Sequence, residues 1–358
     1  MNALLKLVRP KILAMKAYES ARSLQTQGRI FLDANESPFC PVGKALNRYP
    51  EPQPREILQR FSALYGVPSE NILVGRGADE AIDLIVRTFC ESGRDAIMTC
   101  APTYGFYEIC ASIQDARVLY APLKCEGDDF KLDIENIKTQ LLNSTSLKVI
   151  FLCSPNNPTG TRFSEESLVE ICEFTKERCI LVIDEAYCEF SQQASMTRFL
   201  CEYDQLLILK TLSKAWSLAG VRCGCVIGNE TLIQILQKVR APYPLSRPAI
   251  EEVLRHTDSN GENVLKKRVE NIRQQRAEMK KSLEELAIVQ KIYDSDTNFL
   301  LVRFRDAKQV MSYLSAAGLI VRDRSSDFGL ENCIRITMGT EEENRSVVSL
   351  LSVVNNEF

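Results

Sequence analysis

Histidine is almost missing from this chain: His256 is the only one in 358 residues. It stands in the helix-ending context Leu-Arg-His-Thr-Asp-Ser-Asn-Gly at 254–261 and reads as a surface residue. A Ser-His-Asp or Cys-His hydrolase would have to work from that one unpromising place. Zinc ligation by Cys223-Gly-Cys225 would have no histidine nearby in the sequence to complete it. Long apolar runs are missing too. The longest uninterrupted stretches, such as 149–153 and 180–183, fall far short of the roughly 20 residues that span a bilayer. No excess of positive charge is present either. With 44 Lys and Arg against 47 Asp and Glu, the net charge of −3 supplies no long-range attraction for nucleic acid or an anionic membrane. Paired cysteine spacing is also absent. The thirteen cysteines are an odd number, and Cys100, Cys153 and Cys225 sit inside apolar segments, as the reduced core thiols of a cytoplasmic protein do. Near the amino terminus Lys6, Arg9, Lys11 and Lys16 divide the apolar residues into pieces too short for a signal-peptide core. An arm or amphipathic segment is expected there.

The composition that remains is that of a soluble globular protein, 45% apolar and 25% charged, and the length predicts about two domains. Between about 70 and 230 one pattern repeats: a short apolar run, a polar loop, then a helical stripe. The runs are 71–74, 96–100, 148–153, 180–183, 206–209 and 223–227. Continuously apolar strands alternating with helices predict a mainly parallel sheet covered on both faces. From about 246 the pattern changes. Leu265, Val269, Ile272, Met279, Leu283 and Leu286 mark a long helix, followed by strand-like 297–304, 319–322 and 333–338, which suggests a smaller α+β domain. The expected division is an amino-terminal arm or part of the small domain over 1–29, a large domain over 30–245 and a small domain over 246–358.

Ligands of such sheets bind at the carboxyl ends of the strands, so the residues just past each run are the informative ones. After 71–74, Gly75-Arg76-Gly77-Ala78-Asp79 opens a helix whose Ile82, Ile85, Val86 and Phe89 form one stripe. Its free N–H groups suit an anion, although neither a dinucleotide fingerprint nor a P-loop is present. Then come Tyr104 in APTYG, an Asn amide in SPNNPTG at 154–160, and Asp184 in DEAY. Ser213 and Lys214 stand in KTLSKAWSLAGVRCG at 210–224. Lys214 lies among apolar neighbours and is either a stem snorkelling to solvent or a working amine. In Cys333-Ile334-Arg335-Ile336-Thr337 the isoleucines share one strand face and Arg335 takes the other, which is either a solvated face or an anion site.

An anion nest, an aromatic ring, an amide, a carboxylate and a lysine are together the groups that pyridoxal phosphate requires. SPNNPTG, DEAY and TLSKAWSLAGVRCG, in this order, resemble the fold type I pyridoxal-phosphate aminotransferases. RGADE at 76–80, APTYG, LNRYPEPQP and CIRITMGT extend the similarity over nearly the whole chain, with the histidinol-phosphate aminotransferases as the group resembled. The resemblance implies a homodimeric α/β enzyme with a large domain, built on a mainly parallel sheet covered by helices, and a smaller α+β domain. It implies pyridoxal 5'-phosphate as cofactor and reversible amino transfer between L-histidinol phosphate and 2-oxoglutarate. Lys214 would bind the cofactor's aldehyde and move the proton, and Asp184 would pair with the ring nitrogen. Tyr187 and Asn157 would bind the phenolic oxygen, with Tyr104 stacked on the ring. Ser213, Arg222 and the backbone at Gly77, Ala78 and Asp79 would hold the cofactor phosphate, joined by Tyr49 from the partner subunit. Arg335 would take the substrate phosphate and a carboxylate of 2-oxoglutarate. Arg322, Asn298, Tyr18 and Asn35 would lie on the substrate side, on the strength of short patterns such as FLDANESP and DTNF. Segments 37–46 and 126–146 depart from the family pattern. A broad aromatic aminotransferase would share the cofactor residues, and a threonine-phosphate decarboxylase the arginines as well. A cofactor-binding regulator would need a DNA-binding module, which the residues ahead of FLDANESP do not suggest.

Overall fold

Strands that read as unbroken apolar runs have both faces covered. The computed structural model, which describes residues 3–21, 30–41 and 46–357, shows why. Thirteen strands occur among the described residues. They are β1 (Ile72–Gly75), β2 (Ala96–Thr99), β3 (Arg117–Tyr120), β4 (Lys124–Glu126), β5 (Asp129–Lys131), β6 (Leu147–Cys153) and β7 (Ile180–Asp184), then β8 (Leu206–Thr211), β9 (Gly224–Gly228), β10 (Val289–Ile292), β11 (Phe299–Phe304), β12 (Arg322–Asp323) and β13 (Cys333–Thr337). Seven of them form one sheet in the order β1-β9-β8-β7-β6-β2-β3. Successive side chains alternate between faces. Ile150, Leu152, Leu181, Ile183 and Ile208 therefore enter one core, while Val149, Phe151, Val182, Leu207 and Leu209 enter the other. Helices Arg55–Tyr65, Glu165–Thr175 and Arg247–His256 cover the first face. Helices Ala78–Phe89, Phe106–Ile113 and Glu230–Val239 cover the second, where Leu4, Leu7 and Val8 also bury. Arg9 donates to Glu91 at 3.2 Å beside that contact.

The run at 223–227 departs from a parallel arrangement, because β9 runs antiparallel to both β8 and β1. A parallel return needs a crossover connection, usually a helix, and residues 212–223 carry the lysine loop instead. The edge strand β3 escapes the apolar-run criterion because Arg117 and Tyr120 are exposed. The segment beginning at 126 contains part of a β4–β5 hairpin and helix Ile134–Asn143, whose first turn is capped by Asp133 accepting from the Asn136 N–H. Of the divergent segment 37–46, residues 42–45 lie outside the described residues, as do 22–29 of the arm.

The carboxyl-terminal part builds a four-stranded antiparallel sheet, β10-β11-β13-β12. Met279, Leu283, Val302, Phe304, Val310, Ile334 and Leu351 pack beneath helices Ser259–Glu284, Ala307–Ala316 and Glu341–Glu357. Leu286, expected inside the long helix, lies past its end at Glu284. The strand expected over 319–322 shrinks to Arg322–Asp323, while Leu319 and Val321 pack against the core. No helix among the described residues is long and apolar enough to cross a membrane.

One ion pair lies inside the large sheet's core region. Lys210 of β8 reaches Glu185, just past β7, at 2.6 Å, and both side chains are 4% exposed. Glu185 also accepts from the Met196 N–H at 2.7 Å and from Ser195 Oγ. Two buried charges are tolerable only when each finds a partner and the remaining polar atoms are hydrogen-bonded.

Candidate active site

A cavity of about 240 Å³ opens where β6, β7 and β8 end and helix Ala78–Phe89 begins. Ten of the expected residues meet in its walls: Lys214, Asp184, Asn157, Tyr187, Tyr104, Ser213, Arg222, Ala78, Asp79 and Arg335. Lys214 is exposed to the cavity, whereas its neighbours Leu212, Ala215 and Trp216 are buried. The apolar residues around Lys214 thus hold the loop, and the amine itself faces open space. Its Nζ lies 5.5 Å from the Tyr187 ring centroid. Desolvation by the surrounding walls lowers the amine's pKa, and the Arg335 charge lowers it further against the pull of Asp79 and Asp184.

Asp184, the last residue of β7, is only 3% exposed. Its Oδ2 accepts from the Tyr107 hydroxyl at 2.8 Å and its Oδ1 from the Ala186 N–H at 3.0 Å. Burial pushes its pKa up to about 6, and the two donors oppose that rise. Tyr187 is likewise buried, which raises its phenol above the usual range.

Asn157 is positioned by its neighbour. Asn156 Nδ2 donates to the Pro102 carbonyl at 2.9 Å and to Thr159 Oγ1 at 2.8 Å, and Asn156 Oδ1 accepts from Thr103 Oγ1. The loop is therefore tied from inside, leaving the Asn157 amide at the cavity wall.

At the other end of the cavity Arg222 donates to Asp79 Oδ2 at 3.1 Å and to Ser213 Oγ at 3.3 Å. Ser213 is held by Thr211, whose Oγ1 accepts from the Ser213 N–H at 3.2 Å. Tyr104 donates to Asp79 Oδ1 at 3.0 Å. Gly77 caps the helix at φ 89°, and a Cβ there would come within 3.1 Å of Arg222 Nη2. Glycine thus keeps a pocket open between helix amides and a guanidinium, a setting that suits a phosphate.

Arg335 enters from β13, half-buried, with its guanidinium 5.3 Å from the Phe299 ring centroid. Its Nη1 donates to Asn157 Oδ1, and its buried Nε has no partner. The donor set thus contains two separate guanidinium positions, an amine, a buried carboxylate and an aromatic face. Pyridoxal phosphate fits it: a phosphate at Arg222 and the helix start, an aldehyde at Lys214 and a ring nitrogen at Asp184.

Several expected residues lie elsewhere. Tyr18 is 72% exposed, and Asn35 is exposed in a left-handed conformation at φ 53°. Tyr49, 48% exposed, stacks on Tyr243 at 4.3 Å. Arg322 is exposed on β12 opposite Arg335, and the Asn298 carbonyl accepts from the Met338 N–H at 2.8 Å. None of these five lines the cavity. His256 ends its helix with an exposed side chain 3.4 Å from Glu252. No cluster of three or more potential metal ligands occurs among the described residues. Sequence reasoning missed Tyr107, whose only sequence signal is a second tyrosine three positions after Tyr104. It also missed Cys153 and Thr211 in the cavity wall.

The family model "Aminotransferase class I and II" matches residues 33–351. A histidinol-phosphate aminotransferase 1 of Pasteurella multocida is 43% identical over 96% of this chain and 97% of its own length. A histidinol-phosphate aminotransferase of Yersinia pseudotuberculosis is 41% identical over 98% of this chain and 91% of its own. Among solved structures, the histidinol-phosphate aminotransferase of Sinorhizobium meliloti in complex with pyridoxal-5'-phosphate superposes with a TM-score of 0.80 at 22% identity, covering 98% of both chains. That likeness concerns the fold, a mainly parallel sheet with helices and a second smaller sheet. The chain belongs to the class I and II aminotransferases, pyridoxal-phosphate enzymes among which its sequence relatives carry the name histidinol-phosphate aminotransferase.

Proposed function

We propose that this enzyme transfers the amino group between L-histidinol phosphate and 2-oxoglutarate, giving imidazole acetol phosphate and glutamate in histidine biosynthesis. The observation that carries the reading is Arg335. It is a second guanidinium in the Lys214 cavity, separate from the one at Ser213, with an unpartnered Nε. One anion position serves the cofactor and the other is left for the substrate. The relatives' names supply the substrate that fits it.

Bound pyridoxal phosphate supplies the electron sink for the reaction. In this reading Asp184 accepts the proton-bearing ring nitrogen, and Tyr187 and Asn157 hold the phenolic oxygen. Tyr104 covers the ring. Ser213, Arg222 and the backbone N–H groups at Gly77, Ala78 and Asp79 hold the phosphate, displacing Arg222 from Asp79. Lys214, whose pKa burial lowers from that of a free lysine amine, carries the proton at the substrate carbon. Arg335 pairs with the phosphate of one substrate and a carboxylate of the other. Arg322, Asn298, Tyr18 and Asn35 belong to the substrate side.

The exposed apolar Ile30, Leu32, Phe39 and Tyr49 support a homodimer, with Tyr49 reaching the partner's cofactor phosphate. The free cysteines among the described residues support a reducing, cytoplasmic compartment. The test measures glutamate formation from histidinol phosphate and 2-oxoglutarate, with histidinol and phenylalanine offered in parallel. Strong preference for the phosphorylated amine supports the reading. Equal use of phenylalanine would favour an aromatic aminotransferase, and carbon dioxide release from phosphothreonine a decarboxylase.

A further inference from the structure

The Asp184 carboxylate is held by a phenol to which the reaction assigns no task. Tyr107, at the start of helix Phe106–Ile113, is fully buried. Its ring stacks on Phe151 at 4.7 Å and 10°, and meets Tyr104 edge-on at 5.6 Å and 89°. Its hydroxyl donates to Asp184 Oδ2 at 2.8 Å. We propose that Tyr107 is a positioning residue for amino transfer: its hydroxyl fixes the orientation of the Asp184 carboxylate and keeps it ionised, so that it holds the proton on the cofactor's ring nitrogen. This rests on the reading of Asp184 as the ring-nitrogen partner.

An ionised carboxylate offers two oxygens and about four acceptor positions. The Ala186 N–H takes one position on Oδ1 and Tyr107 one on Oδ2. Donors on different oxygens define the plane of the group and leave acceptor positions for the ring nitrogen. The donor is also needed electrostatically, since burial alone opposes ionisation. The groups around Asp184 come from several elements. Asp79 at its helix start raises the Asp184 pKa, Lys214 lowers it, and Cys153 on β6, Tyr104 and Tyr187 interact with it electrostatically. Tyr107 and the Ala186 N–H are the donors that lower it by hydrogen bonding. Without the phenol, a carboxyl already displaced to about 6 moves toward neutrality, and a neutral acid cannot keep a ring nitrogen protonated.

Tyr107→Phe in the holoenzyme keeps the ring and its stacking and removes only the donor. A lost hydrogen bond of ordinary strength moves the acid limb of kcat against pH upward by about one unit. Turnover then falls up to about tenfold on the acid side of that limb, and much less at about pH 8.5. The pH midpoint of the bound cofactor's visible band rises with it. Phe151→Leu loosens the packing around Tyr107 but leaves the hydroxyl, so it lowers the melting temperature without moving either pH midpoint. If Tyr107→Phe leaves both midpoints in place, or Phe151→Leu moves them as far, the inference fails while the proposed reaction stands. If Asp184→Asn keeps near-normal turnover, the Asp184 reading fails and this inference with it.

Discussion

Arg335→Lys keeps a positive charge at the cavity wall and removes the planar fork. In the structure Nη1 is committed to Asn157 Oδ1, and the buried Nε has no partner. An anion seated against this side chain would satisfy the orphaned Nε as one half of a paired contact. A lysine ammonium on a more flexible stem replaces that paired contact with a single one, at the loss of one charge-assisted hydrogen bond, about 1.5–3 kcal/mol. At about 1.4 kcal/mol per decade, kcat/KM for histidinol phosphate falls between roughly tenfold and 150-fold. Losing the guanidinium over Phe299, 5.3 Å from the ring centroid, adds a further fraction of about 0.5–1 kcal/mol. The cleanest assay is the first half-reaction, monitored by the change in the cofactor's visible band, with histidinol phosphate and unphosphorylated histidinol compared. The variant loses rate with the first and little with the second, so the selectivity ratio falls by the same factor, while cofactor content stays at the wild-type level. An equal loss with both amines would refute the assignment of Arg335 to the phosphate. A kcat/KM within twofold of wild type would refute any role in binding the anion.

Lys214→Ala retains the Arg222 cradle but removes the amine, so cofactor still binds and turnover falls by roughly a thousandfold or more. Absorbance shows a bound cofactor whose visible band no longer titrates, and appreciable retained turnover sinks the role. For the cofactor-free protein, Asp184 has a folded pKa of about 6, above its ordinary value of 3.8. The native state therefore binds more protons than the unfolded chain between about pH 4 and 6. Stability from this group is lost as pH rises through that window, on the order of 3 kcal/mol. The difference in urea midpoint between Asp184→Asn and wild type should move in the variant's favour from pH 4.5 to pH 7, whatever its constant offset; a pH-independent difference contradicts the burial argument. Lys210→Met leaves Glu185 buried without its cation, which costs about 3–5 kcal/mol of stability. Replacing both by apolar residues recovers most of that, and an unfolding midpoint near wild type for the single variant overturns the pairing.

Sequence and structure agree where one physical pattern dominates. The runs that became β6, β7 and β8 are apolar at nearly every position because both faces are covered, so they are visible without knowing their neighbours. β3 has one covered neighbour and exposed Arg117 and Tyr120, so it carries no such run. The direction of β9 is not written in its own residues. It is set by the connection ahead of it, which is too occupied to form a crossover helix. The same logic governs the site. Lys214, Asp184, Asn157 and Arg222 lie in or beside recognisable loops at strand ends, and the fold brings them together. Tyr107 acts 77 positions away from its partner, a pairing that only the packed helix reveals. Tyr18, Asn35 and Tyr49 stand in short local patterns, yet they are exposed outside the cavity, because a short pattern carries no information on where its segment packs.

The reversed direction of β9 makes the lysine loop a closed unit. Thr211 at the end of β8 stands opposite Gly224 at the start of β9, so the segment between them leaves and re-enters the sheet at one point. Ser213, Lys214 and Arg222 all lie inside that closed segment. Gly224 seals its mouth against the helix start, since a Cβ there would lie 2.9 Å from Gly77 Cα and 2.6 Å from the Lys210 carbonyl. Length, more than composition, is then what the closed segment constrains. Gly220 is exposed, and a side chain there would meet open space, so identity can change at that position. An inserted or deleted residue between 214 and 222, by contrast, would alter the spacing of the amine from the phosphate grip in one event. Lineages descended from this sequence should therefore drift by substitution in this stretch and accumulate their indels elsewhere.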